Sequence, residues 1–261
     1  MNVFIITDIE GIVGVTDIDF VDKSNEKYSL ACRLLEKSIN LAIDTCLRCG
    51  AERVYYLDGH GGGGNVDRYK IHSAANSCTI TDLETLLRTG SIDCVIELGA
   101  HARAGTIGGF LDHTVSSRKW FSHRVNGLEM SELSLHAILC GAYDVPVVAC
   151  IGDEAACQQA KEYIPNIYTG AVKSARTRNV AQDFENADKI LVDTIGSALS
   201  AYQNITPYHI QLPATVELTF YRTDYCESAL EGCGAETERV DARTLRKKIS
   251  NITKYADLKF K

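Results

Sequence analysis

The sequence predicts an α/β fold: a largely parallel, doubly wound sheet with helices on both faces, plus a smaller C-terminal α+β part. Two observations predict it. Short apolar runs at residues 3–7, 53–57, 93–98 and 146–151 alternate with stretches whose apolar residues recur every three or four positions. Such alternation marks βαβ units with strands buried on both faces. The first three runs are each followed within a few positions by an acidic residue or a histidine among glycines, namely Asp8, His60 and His101. Open α/β sheets gather their chemistry at that edge, beyond the carboxyl ends of the strands.

The elements follow in order. Residues 3–7 (VFIIT) form a short buried strand that ends at Asp8, and a glycine-containing loop, IEGIVGVTDIDFVDKSN, leads away from it. Over 28–49, Leu30, Leu34, Leu35, Ile39, Ala42, Ile43, Cys46 and Leu47 share one helical face, and Gly50 suits the position after the last turn. Strands at 53–57 and 93–98 flank a short helix expected to start at the capping box Thr81-x-x-Glu84. Helix is expected again over 129–140 before Gly141, then strand over 146–151. Asp153 can cap the helix DEAACQQAKEYI, which stops at Pro165. Beyond about residue 173 the pattern weakens: 180–202 is helical in period, 214–220 alternates like a half-exposed strand, and 244–249 reads as a helix. The expected division is an α/β domain over 1–173 and a smaller α+β region over 174–261.

The 261 residues are 45% hydrophobic and 23% charged, ordinary for a globular chain with a sizeable core. A net charge of −7, from 34 acidic against 27 basic residues, disfavours nucleic acid as a partner. No apolar stretch is long enough to cross a membrane, and the residues after Met1 lack a signal-peptide pattern, so the expected location is the cytoplasm. The 10 cysteines are dispersed, several of them in apolar segments, which fits reduced core thiols. The C-x-x-C pair Cys46 and Cys49 has no second pair at zinc-ribbon spacing and closes a helix rather than opening one.

Asp8 and Glu10 stand two apart, so at an extended strand end they project to one side and repel unless a cation lies between them. His60 enters the glycine run 61–64, and no G-K-[ST] follows, which excludes a P-loop. His101 repeats the pattern of strand, imidazole and small residues, and Glu132 stands near the start of a helix. Three carboxylates and two imidazoles without thiolates exceed what one structural zinc needs. They suit two divalent ions, zinc first among them, that share Asp8 and activate a bridging water for hydrolysis. His113 could stand beside the ions as a proton carrier. His72, His123, His136 and His209 lack such context and are expected on the surface or in the core.

The motifs Thr7-Asp8-Ile9-Glu10-Gly11-Ile12-x-Gly14, Asp58-Gly59-His60, Gly99-x-His101-Ala102-Arg103-Ala104-Gly105 and Asn126-Gly127-x-x-x-Ser131-Glu132 resemble those of the M55 zinc peptidases, the D-aminopeptidases associated with dipeptide transport. The resemblance spans about residues 1–173 and continues more loosely through 215–220. It implies a di-zinc exopeptidase with Asp8, Glu10 and His101 about one ion and Asp8, His60 and Glu132 about the other. It aligns His113, rather than its neighbour Asp112, with the catalytic histidine. It further implies short peptide substrates with N-terminal D-amino acids, such as D-Ala-D-Ala, and a ring-like homo-oligomer, a decamer, to which the C-terminal region would contribute. Two other readings use the same residues: a two-metal phosphoesterase with Arg103 clamping phosphate, and a non-catalytic metal-binding assembly subunit.

Overall fold

A computed structural model describes residues 1–260. In chain order its elements are β1 (Asn2–Thr7), α1 (Lys27–Arg48), β2 (Arg53–Asp58), β3 (Ala75–Cys78), α2 (Ile80–Arg88), β4 (Cys94–Ala100), β5 (Trp120–Val125), β6 (Leu128–Glu129) and α3 (Glu132–Gly141). They continue with β7 (Val147–Asp153), α4 (Glu154–Tyr163), β8 (Tyr168–Thr177), β9 (Val180–Asp183), α5 (Ala187–Ser200), β10 (Ala214–Phe220), α6 (Thr223–Glu231), β11 (Glu238–Arg239) and β12 (Thr244–Ile249).

Seven strands form one sheet in the order β3-β2-β1-β4-β7-β8-β9, parallel throughout except for β9. Its central strands are apolar along their length, and Val3, Phe4, Ile5, Val95, Ile96, Val148 and Ala149 are fully buried. That burial follows from helices such as α4 and α5, both packed on β7 and β8. Because β2 lies on one side of β1 and β4 on the other, the direction of sheet growth reverses at β1, where open sheets form a crevice. Thr7 is level with Asp58 of β2 and with Leu98 of β4. The loops leaving all three strands therefore emerge side by side.

The second sheet, β11-β12-β10-β5-β6, is antiparallel. Along β10, Ala214, Val216, Leu218 and Phe220 are buried while Thr215, Glu217 and Thr219 are half-exposed, as the alternation predicts. Residues 244–249, expected as a helix, form strand β12 instead. Leu245 pairs opposite Leu218, and Arg246 meets Glu217 at 2.8 Å. Cross-strand partners override the weak local preference of that segment. Two of this sheet's strands precede residue 173 and three follow it, while residue 173 itself lies within β8.

Other boundaries shift for local reasons. Helix α2 is capped by a reciprocal pair at Thr79 and Asp82, not at Thr81 and Glu84. Helix α3 begins at Glu132, after Leu128 and Glu129 have paired with β5. The 180–202 segment splits into β9 and α5 around Asn186, which adopts a left-handed conformation. All 10 cysteines are free, and Cys46, Cys94, Cys140 and Cys150 are buried. Among the described residues, no helix is long and apolar enough to cross a membrane.

Candidate metal centre

Asp8 follows the last residue of β1 and is tied to the neighbouring strand by its N–H, which donates to the Leu98 carbonyl at 2.8 Å. The two chains pass so closely that a Cβ on Gly99 would lie 2.0 Å from the Asp8 carbonyl oxygen, and Gly99 has φ +85°. Only glycine fits there. Two residues on, Glu10 is buried, and its loop is held from beneath by Lys173. This fully buried lysine donates to the carbonyls of Glu10 at 3.2 Å, of Ile12 and of Val15. Burial pushes its pKa down to about 8, against the opposing pull of Asp183.

His60 leaves β2 through a clamp in which Asn65 donates to Asp58 Oδ1 at 2.8 Å and to the His60 carbonyl at 2.7 Å. The following glycines, 61 to 64, all have positive φ, which lets the loop turn without side chains over the crevice. His101 leaves β4 with Nδ1 3.0 Å from the Ala102 carbonyl. A carbonyl only accepts, so Nδ1 carries the proton and Nε2 offers a lone pair. Glu132 is the first residue of α3, set by the Ser131 cap, and its Oε1 accepts the Val115 N–H at 2.8 Å.

These side chains converge. His60 Nδ1 lies 2.9 Å from Asp8 Oδ1 and 3.1 Å from Glu10 Oε2. His101 Nε2 lies 3.4 Å from Asp8 Oδ2 and 3.3 Å from Glu132 Oε1. Asp8 thus faces both sets with separate oxygens. The short contacts put Glu10 beside His60 and His101 beside Glu132, a division unlike the one the resemblance implies. His113 stacks on His101 with ring centroids 4.0 Å apart and planes 8° from parallel. Its Nδ1 donates to the Leu111 carbonyl at 2.8 Å, and its Nε2 stands 3.8 Å from Glu132 Oε1. The neighbouring Asp112 instead accepts the Gly105 and Thr106 N–H groups and pairs with Arg178 at 2.8 Å.

The crowding shows in the protonation equilibria. Burial disfavours charge on His60, His101 and Glu132, but the facing partners prevail. Glu10 and Asp8 raise the His60 pKa to about 11, Asp8 and Glu132 hold His101 well above its ordinary value, and His101 draws Glu132 down to about 2. His101 Nε2 is nonetheless buried without a hydrogen-bond partner. A buried ring nitrogen aimed between two carboxylates, able to offer its lone pair once deprotonated, in a set of imidazoles and carboxylates, fits a borderline divalent ion such as zinc.

The centre opens into a cavity of about 1230 Å³. Its lining also contains Glu97, His136, Tyr255 and Lys259. No sequence pattern points to Glu97, Tyr255 or Lys259, and His136 is expected on the surface or in the core, although its place four residues after Glu132 on a helix puts both on one face. His136 Nδ1 lies 2.9 Å from Glu97 Oε1. His123 is buried, as a core histidine, with Nε2 2.8 Å from the Leu258 carbonyl. Arg103 is turned to Glu162 at 2.9 Å rather than into the cavity.

Comparison with known proteins agrees with this architecture. A D-aminopeptidase of Bacillus subtilis (strain 168) is 29% identical over 213 residues, which are 79% of this chain and 77% of the relative. The structure of DppA from Bacillus subtilis, described as a Zn-dependent D-aminopeptidase and a self-compartmentalizing protease, shares the fold with a TM-score of 0.89 at 24% identity. The match covers 99% of this chain and 95% of that one. The model of the M55 peptidases, described as D-aminopeptidases, matches residues 1–258, and this chain, a metallopeptidase by that descent, belongs to the M55 family.

Proposed function

We propose that this chain is a di-zinc aminopeptidase that removes N-terminal D-amino acids from short peptides such as D-Ala-D-Ala. The observation that carries the reading is Asp8, whose two oxygens face separate imidazole–carboxylate sets. In it, Asp8, common to both sets, would hold the two ions together with Glu10, His60, His101 and Glu132. Bound there, such ions supply Lewis-acid polarisation of a carbonyl and a water nucleophile available at neutral pH.

His113 is the proton carrier. Its Nδ1–H is committed to the Leu111 carbonyl, so Nε2, on the cavity side, is the atom that takes and returns a proton. Its stacking on His101 fixes the ring plane. The glycine loop after His60 keeps bulk away from the opposite rim. Arg103, engaged by Glu162 outside the cavity, offers no clamp for a phosphate, which weighs against the phosphoesterase reading. A cytoplasmic homo-oligomer, a decameric ring, completes the proposal. It is supported by the self-compartmentalizing description of DppA and by exposed apolar residues such as Phe121 and Tyr221 on the chain's surface.

The test is hydrolysis of D-alanyl and L-alanyl p-nitroanilide by metal-stripped protein with and without added zinc. Zinc-dependent cleavage of the D form alone is expected. Zinc-dependent turnover of phosphate esters with neither anilide cleaved would refute the reading.

A further inference from the structure

We propose that the C-terminal turn carries a subsite for a free substrate carboxylate, with Lys259 as the cation that binds it. The proposal rests on the short-peptide aminopeptidase reading and adds the end of the peptide that the metal centre does not address. The 3₁₀ turn Tyr255–Leu258 and the residue that follows it bring Tyr255 and Lys259 to the lining of the cavity that holds the metal centre. The Tyr255 ring packs on His136 with centroids 4.9 Å apart, and Lys259 Nζ stands 4.2 Å from the centroid of the same ring.

This wall is built rather than loose. Glu84 accepts the Tyr255 N–H at 2.8 Å, His123 Nε2 lies 2.8 Å from the Leu258 carbonyl, and Lys247 Nζ donates to the Lys259 carbonyl at 2.6 Å. Three elements thus hold the backbone from Tyr255 to Lys259. The lysine stem then leaves a fixed point, and its ammonium is steered over an aromatic face, where cation–π attraction holds it.

Charge decides what the ammonium is for. Three lysine and arginine side chains line the cavity; Lys23 and Arg118 are exposed, whereas Lys259 is half-buried. Among the described residues Lys259 forms no ion pair. The carboxylates around this turn are engaged: Glu84 by the Tyr255 N–H, Asp257 by the Thr253 and Lys254 N–H groups, and Glu97 by His136. Burial lowers the Lys259 pKa, and Glu132 and Glu84 work against that from a distance. Once two dications neutralise Asp8, Glu10 and Glu132, no surplus negative charge remains at the centre to balance this ammonium. A half-desolvated ammonium with no ion-pair partner among the described residues is suited to a carboxylate. In a dipeptide cleaved at the metal centre the terminal carboxylate lies one residue beyond the scissile bond, in the cavity that Lys259 lines. An anilide or a capped amide has no such anion and loses the contact.

The experiment compares kcat/KM for D-Ala-D-Ala and its C-terminal amide in zinc-loaded wild type, Lys259→Met, Lys259→Arg and Arg118→Met. Calorimetry alongside measures the affinity of the reduced-bond analogue of D-Ala-D-Ala. We expect the wild type to prefer the free acid by about tenfold or more, the scale of one charge-assisted hydrogen bond. Lys259→Met should erase that preference through KM and weaken the analogue in parallel, while Lys259→Arg restores most of both. A wild type without preference, a preference kept in Lys259→Met, or one lost in Arg118→Met overturns the proposal while leaving the aminopeptidase reading intact. A wild type that cleaves neither peptide sinks the aminopeptidase reading, and this subsite with it.

Discussion

The two sheets reach the same cavity by opposite routes. The parallel sheet delivers Asp8, Glu10, His60 and His101 from loops that begin at the ends of β1, β2 and β4, so each side chain is set by a strand only a few residues away. The antiparallel sheet contributes by long-range ties: His123 of β5 contacts the Leu258 carbonyl 135 residues on, and the turn it secures brings Tyr255 to the cavity lining. Local geometry supplies the candidate metal ligands, and distant pairing supplies the part of the cavity lining where the proposed subsite lies. Metal binding and substrate selection should therefore be separable by mutation.

The largest effect should follow from Asp8→Ala. It removes the carboxylate that faces both sets and should abolish activity with loss of both zincs, whereas Glu10→Ala should mainly weaken one. Elemental analysis of the purified variants decides this, and equal loss from both would refute the bridging role. Next in size, His113→Ala should lower kcat by about 10²–10⁴-fold with metal content unchanged, the range for removal of a positioned proton carrier. Lost metal in that variant would instead make His113 a ligand.

Leu218→Ala tests the other sheet. Truncating this fully buried residue of β10 should cost about 2–5 kcal/mol of stability, read by denaturant unfolding. Zinc content per folded protein should not change. A parallel fall in zinc would show that the two sheets do not act independently.

The smallest effect is on pH dependence, and it separates metal-free from loaded protein. Glu132 is drawn from 4.5 to about 2, so its contribution is complete above about 4.5 and fades as the pH falls toward 2. His60 is raised from 6.5 to about 11, so its contribution is complete below about 6.5 and fades as the pH rises toward 11. Metal-free protein should melt highest between these limits. Zinc requires His60 and His101 without their ligand-side protons, so its stabilising increment should grow with pH across the same window. Melting curves with and without zinc measure both, and an increment independent of pH would argue against histidine ligation.

Much of this was legible in the sequence because it is local. Asp8, His60 and His101 each follow an apolar run closely, and the glycines beside them announce tight turns where side chains would collide, as at Gly99 against Asp8. The C-terminal wall was not legible. Residues 244–249 look helical in isolation and become a strand only opposite β10, and without that pairing nothing brings Tyr255 or Lys259 near the centre. His136 lay between these cases: its spacing from Glu132 was visible, but its partner Glu97 sits on another element, within an apolar strand that gives no sign of facing a cavity.

Lys173 has a consequence for how metal enters and leaves. Its ammonium grips three carbonyls of the loop that carries Glu10, so the loop's course is set by the protein interior rather than by an ion. Chelation should then return a folded apoenzyme that can be recharged, unlike small zinc domains whose ligands come together only around the metal. Exchange of one divalent ion for another becomes a matter of supply and affinity, with no refolding step between them.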